Sequence, residues 1–272
     1  MSARSKGRGL QAYALLYLLF LYAPILLLPI FAFNSGTVIA FPLQGFTTDW
    51  FAQMWGNATL RRALTNSLTI AVSAAVFATC LGVFAARAST RYEWPAKGPM
   101  MGFIMLPMVL PEIIVAMSLL VVLLGVGVQL SILTVIVGHT LICMPYAIAI
   151  LSTAFSSLDK SLEEAAYDLG ETRLGAFRLV TLPLVMPGII SSLLISFTIS
   201  LDEFIIAFFL AGNEPTLPTY IFSQLRFPRA IPVIMALGTV LVVLSVVLLA
   251  IGEYFRRRGN ARIGGSPTGG LV

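Results

Sequence analysis

Charge is scarce in this chain: Asp, Glu, Lys and Arg make up 11% of its 272 residues, against about 25% in an ordinary soluble domain. With 58% of residues hydrophobic and a mean hydropathy of +0.94, the apolar surface is too large to hide in one water-soluble core, so the bilayer is the solvent. Histidine is scarcer still, at one residue. With no His-Glu-x-x-His and no Walker-type glycine loop either, no zinc mechanism and no ATP hydrolysis can be assigned, and no catalytic or metal-binding residue is expected. The only two cysteines, Cys80 and Cys143, fall inside predicted helices away from any metal-ligand cluster, which reads as packing rather than a disulfide or redox pair. No small-residue cleavage site follows the first hydrophobic run, so an uncleaved signal anchor is expected behind its basic leader. The runs also lack period-two alternation, which excludes a membrane barrel.

What is present is a set of long apolar runs. A helix rising about 1.5 Å per residue needs roughly 20 residues to cross a hydrocarbon core of about 30 Å. Six runs meet that length, over residues 10–33, 66–86, 99–124, 131–151, 188–210 and 232–255, so the fold class is an all-α integral membrane protein. Pro24, Pro29, Pro107, Pro111 and Pro145 predict kinks rather than breaks. A cytoplasmic N-terminus places all the basic residues inside except Arg61, Arg62, Arg226 and Arg229, as the positive-inside rule requires. Residues 1–9 then form a cytoplasmic N-terminus, 10–255 the transmembrane domain, and the glycine-rich 256–272 a flexible cytoplasmic tail. The net charge of +5 is accounted for by topology and lipid contact, with no nucleic acid.

The outer loops are modest. Residues 34–65 carry Trp50, Phe51, Met54 and Trp55 at a spacing that gives a short helix one apolar side, read as an interfacial anchor. The cytoplasmic loop 152–187 differs in kind, because it gathers Asp159, Lys160, Glu163, Glu164, Asp168, Glu171, Arg173 and Arg178. Ser157 or Asp159 can cap a helix with Leu162, Ala165, Ala166 and Leu169 on one face, and Gly170 should end it. A second short helix from Leu174 to Leu182 is predicted before Pro183 and Pro187 turn the chain into the membrane. A small-residue face on such a knob lets another surface approach closely.

Glu164-Ala165-Ala166, then Gly170, then Val180-x-Leu182-Pro183 is similar to the EAA signature of permease subunits in bacterial ATP-binding-cassette importers. The resemblance covers nearly the whole chain. It implies that this loop, between the fourth and fifth spans, is a coupling helix seated in an ATPase subunit, with Glu164 and Gly170 holding its shape. It further implies a second, homologous permease forming a heterodimer, two ATP-binding subunits carrying the ATP and Mg that this chain does not bind, a periplasmic or lipid-anchored solute-binding protein, and a bacterial inner membrane. A finer resemblance lies in Ser200-Leu201-Asp202-Glu203 followed by Thr216-Leu217-Pro218, which looks like the second permease of spermidine/putrescine importers.

The residues themselves support a pathway. On ideal helices rising about 1.5 Å per residue, Glu112 and Asp202 both reach roughly 20 Å from the cytoplasmic ends of their spans. His139 enters about 12 Å from the other side, so these groups fall near one layer of a core about 30 Å thick. Ionisable residues at that depth face a cavity or a partner, and acids there favour a cationic solute. Asp202 and Glu203 lead as pathway candidates, with an interhelical bond as their structural alternative, ahead of Glu112, which can instead bond backbone groups freed at a Pro111 kink, and His139, which can instead pack or bridge helices. Adjacent residues differ by about 100° around a helix, so Asp202 and Glu203 should not face one cavity equally. The expected activity is ATP-driven import of a small cation such as a polyamine. The alternatives are a permease for an amino-acid derivative, opine or aminophosphonate, a secondary carrier, for which no internal repeat is visible, and an intramembrane hydrolase, which leaves the loop unexplained.

Overall fold

Backbone polar groups in lipid must bond within their own segment, and the apolar runs accordingly fold as helices. The computed structural model describes residues 3–262, with side chains described over 9–247. In order the helices are α1 (Ala3–Ala32), α2 (Asp49–Gly56), α3 (Ala58–Arg91), α4 (Lys97–Val109), α5 (Glu112–Gly125) and α6 (Ile132–Ser156). They continue with α7 (Lys160–Asp168), α8 (Arg173–Ala176), α9 (Leu182–Asp202), α10 (Ile205–Leu210), α11 (Leu217–Gln224) and α12 (Ile231–Arg262). A π-helical turn, Phe177–Thr181, joins α8 to α9 without interruption. Five stretches are long and apolar enough to cross a membrane, and six when α4 and α5 are counted as one bent span.

The chain divides into two compact units. The first comprises Met1–Ala58 and Ser223–Val272, in which α12 packs along α1 and against α2. Buried Asn34 organises its loop: the Asn34 Oδ1 accepts the Gln44 N–H at 3.0 Å, and its carbonyl accepts the Trp50 indole N–H at 2.8 Å. The apolar residues expected on one side of α2 therefore split, with Met54 buried and Trp55 exposed.

The second unit is Thr59–Phe222, and α6 is its centre. Of the most apolar window of α6, 56% is buried, against 6% for α1, so α6 is enclosed by its own chain while α1 is left exposed by it. It packs on α4, α9 and α10, around Val135, Ile142, Cys143 and Ala147. Close approach depends on small residues: a Cβ at Gly138 would stand 2.5 Å from the Ile206 Cγ2, so α10 can lie against α6 only over glycine. Short polar side chains fasten the bundle. Thr79 meets Ser192 at 3.0 Å, Cys143 donates to the Ser196 carbonyl at 3.5 Å, and Thr134 donates to the Leu210 carbonyl at 2.8 Å.

Two predicted spans are not continuous. The third, over 99–124, breaks at Leu110–Pro111, and α4 and α5 meet at 109°. Leu110 is extended, the conformation favoured before proline, and Pro111 has no N–H to continue the ladder. Pro107 is tolerated inside α4, Pro145 inside α6, and Pro24 and Pro29 inside α1. The fifth, over 188–210, starts earlier and stops at Asp202. Neither proline nor glycine marks that stop: Glu203 is extended, and its Oε1 accepts the Ile206 N–H at 2.9 Å, which caps α10. The final helix runs to Arg262, beyond the predicted 232–255. From residue 263 on, the predicted flexible tail lies outside the described residues.

Candidate functional site

Two places in the second unit hold the residues singled out by sequence, a polar loop and a layer of acids at the helix breaks. In the loop, Asp159 caps α7: its Oδ1 accepts the Ser161 N–H at 3.0 Å, and this bond to the charged form holds the Asp159 carboxyl below the usual carboxylate range. The other end of α7 closes on Gly170, at φ 90°, where the Glu171 N–H reaches the Ala166 carbonyl at 3.0 Å and the Gly170 N–H reaches that of Tyr167 at 2.9 Å. This left-handed closure satisfies carbonyls that the helix end would otherwise leave open. Thr172 then caps α8 through the Gly175 N–H at 3.1 Å.

Beyond α8 the chain does not turn sharply into the membrane at Pro183, as predicted. Arg173–Asp202 forms one helical run of 30 residues, about 45 Å at 1.5 Å per residue. That exceeds a core of about 30 Å, so the second half of the loop, from Arg173 on, continues the fifth span without a break. The π turn before Pro183 accommodates a ring that cannot donate to the ladder.

Glu164, Ala165 and Gly170 are exposed, Ala166 is buried, Val180 and Leu182 are half-buried, and Pro183 is exposed. Glu164, expected to hold the loop's shape, therefore points away from the protein, and the holding carboxylate is Glu163. It is buried, accepts the Thr181 hydroxyl at 2.9 Å and lies 3.5 Å from the Arg91 Nε. Arg91, the last residue of α3, also donates to the Leu158 carbonyl at 3.0 Å. One carboxylate thus ties α7 to α3 and to the π turn. Sequence reasoning missed it; the available signal was that Glu163 shares the inward face of α7 with Ala166, one turn on. The exposed side of the loop adds Leu169 at 87% and Leu174 at 75% exposure, apolar bulk left uncovered by the described residues.

The acids gather where the spans break. Glu112 opens α5 and is exposed; Asp202 closes α9 and is exposed; Glu203, between α9 and α10, is buried. Glu112 and Asp202 both lie within electrostatic reach of Glu203. The two neighbours do face differently, but not through a helical offset of about 100°: α9 ends at Asp202, Glu203 is extended, and one of its oxygens is spent on α10. His139 is buried, with its Nδ1 2.7 Å from the Ser200 Oγ, so it bridges α6 to α9. The C-terminal turns of α4 and α9 end at these breaks, and helix C-termini carry partial negative charge. The N-termini of α5 and α10 meet Glu112 and Glu203 at the same breaks and offset part of that charge, which leaves exposed Asp202, at the C-terminal end of α9, as the carboxylate best placed for a cation. Among the described residues no group of three or more His, Cys, Asp or Glu could hold a metal ion.

The model of the family described as "Binding-protein-dependent transport system inner membrane component" matches residues 78–261. The chain is 33% identical over 251 residues to the spermidine/putrescine transport system permease protein PotC of Haemophilus influenzae, covering 92% of this chain and 97% of that one. It is 37% identical over 230 residues to the putrescine transport system permease protein PotI of Escherichia coli, covering 82% and 81%. The crystal structure of a bacterial ABC transporter involved in import of the acidic polysaccharide alginate superposes with a TM-score of 0.72 at 17% identity, over 94% of this chain and 99% of that one.

Proposed function

The chain belongs to the family of binding-protein-dependent transport system inner membrane components, and from that premise we propose that it is the permease subunit of an ATP-driven importer of a small cation, a polyamine such as spermidine or putrescine. The observation that carries the cargo is the placement of Glu112, Asp202 and Glu203 at two helix breaks, with Glu112 and Asp202 within electrostatic reach of Glu203. A flexible diamine or triamine can place an ammonium group against exposed Asp202 and Glu112, while Phe204, Phe208 and Phe222, whose ring centroids lie 5.0 to 6.2 Å apart, offer faces for its methylenes and charges. The names of the polyamine permeases it resembles support the same class.

The loop supplies the coupling. Glu164, Ala165, Leu169 and Gly170 form the surface offered to an ATPase subunit, and closure of two such subunits on ATP moves α7. Through the Arg91–Glu163–Thr181 contacts and the unbroken run into α9, that movement reaches the acidic breaks and opens them alternately to either side. ATP and Mg bind those partners, a second permease completes the path, and a solute-binding protein delivers cargo outside. Both termini and the loop face the cytoplasm.

Uptake of radiolabelled putrescine and spermidine into cells carrying the intact system tests this reading. Asp202→Asn together with Glu112→Gln should lower uptake at least tenfold at unchanged membrane levels of the permease. Unchanged uptake removes these acids from the path.

A further inference from the structure

A cavity of about 400 Å³ opens beside the polar end of α3, lined by Phe84, Arg87, Ala88, Tyr92, Arg173 and Leu174. Two guanidinium groups share it, and among the described residues neither has a carboxylate partner. Arg91, one turn beyond Arg87, has Glu163. Glu171, two residues before Arg173, folds its carboxylate back toward Gly175 instead. The Arg87 Nε is buried without a hydrogen-bond acceptor, while its guanidinium lies 4.3 Å from the centre of the Phe177 ring. The ring fixes Arg87 in place rather than neutralising it, so two arginines line one cavity with no counter-charge among the described residues. The chemistry that completes the cavity is an anion with several acceptor oxygens.

The remaining walls say where that anion comes from. Phe84, 74% exposed, belongs to the apolar span that ends at Arg91, and Leu174 is 75% exposed on the polar side. Tyr92 adds a phenol at the same level, 51% exposed. An apolar wall running into the bilayer beneath paired guanidinium groups and a phenol matches a phospholipid, with acyl chain along Phe84 and phosphate between the arginines. We propose that Arg87, Arg173 and Tyr92 form a binding site for the phosphate of an anionic phospholipid in the leaflet next to the loop. Because Arg173 opens the run that continues into α9, a lipid held there braces the loop against α3. The site depends on the chain's place in the membrane and not on its cargo.

The full chain in nanodiscs of phosphatidylcholine with a minor fraction of phosphatidylglycerol provides the test, with retained lipid counted by native mass spectrometry after transfer to detergent. Wild type should retain phosphatidylglycerol over phosphatidylcholine, and R87Q/R173Q should lose that preference by roughly tenfold or more. R87K/R173K, which keeps the charge but not the planar fork, should retain part of it. Thermal melts of both variants establish that they fold. Unchanged preference in folded R87Q/R173Q overturns the site. Complete displacement of the lipid by millimolar inorganic phosphate overturns it in favour of a soluble anion. Loss of a co-purifying ATPase from R87Q/R173Q with lipid retention intact overturns it in favour of a protein carboxylate. Uptake is not read in this experiment, so failure of the transport reading leaves the result interpretable.

Discussion

Gly170 and Glu163 illustrate two different demands on a single residue. At φ 90° a side chain at Gly170 forces a conformation that costs L-residues about 1–2 kcal/mol, although a Cβ there would meet no atom within 4 Å. Gly170→Val should therefore disturb the end of α7 through the backbone alone and abolish most uptake. Gly170→Asn, which tolerates the left-handed region, should retain more. Uptake normalised to membrane protein level decides this, and equal uptake by both variants would remove the closure from the coupling mechanism. Glu163 is constrained by burial instead. Arg91→Met removes the counter-charge of this buried carboxylate and leaves it only the Thr181 hydroxyl, a change costing at most about 3–5 kcal/mol. The double variant Arg91→Met, Glu163→Leu should melt higher in detergent than Arg91→Met alone. The Glu-Ala-Ala pattern was legible in sequence because its residues are neighbours; the partner of Glu163 was not, because Arg91 ends a different span.

At the scale of elements, the two broken spans separate structural from transport roles. Glu203 caps α10 through the Ile206 N–H. Glu203→Gln keeps an acceptor oxygen and should preserve thermal stability, whereas Glu203→Leu leaves that amide unpaired at a cost of about 1–3 kcal/mol. Asp202 is exposed at the end of α9, so Asp202→Asn should leave the melt unchanged and weaken cation uptake several-fold. If Asp202→Asn destabilises as much as Glu203→Leu, its role is structural. The sequence contained the prolines that break or kink a helix but not which of them would do so. Pro145 lies in a helix packed on several sides that continues through it, while Pro111 follows an extended Leu110 and the chain bends by 109° there.

For the whole molecule, topology makes the sharpest prediction. With Cys80 and Cys143 replaced by alanine, an L169C variant should react with a membrane-impermeant maleimide in inside-out vesicles and not in intact cells. Addition of the ATPase subunit should protect it, since Leu169 stands at 87% exposure on the surface offered for docking. Labelling from the outside would invert the orientation and separate the loop from any ATPase.

Local composition and spacing determined the solvent, the helical class, the loop and its glycine closure, because hydropathy, span length and a left-handed backbone position are properties of neighbouring residues. Tertiary structure alone decided that the third and fifth spans break, that Glu112 comes within electrostatic reach of Glu203, and that Glu163 rather than Glu164 anchors the loop. Those outcomes depend on which distant side chain or backbone amide is available once the helices pack, and chain order does not carry that information.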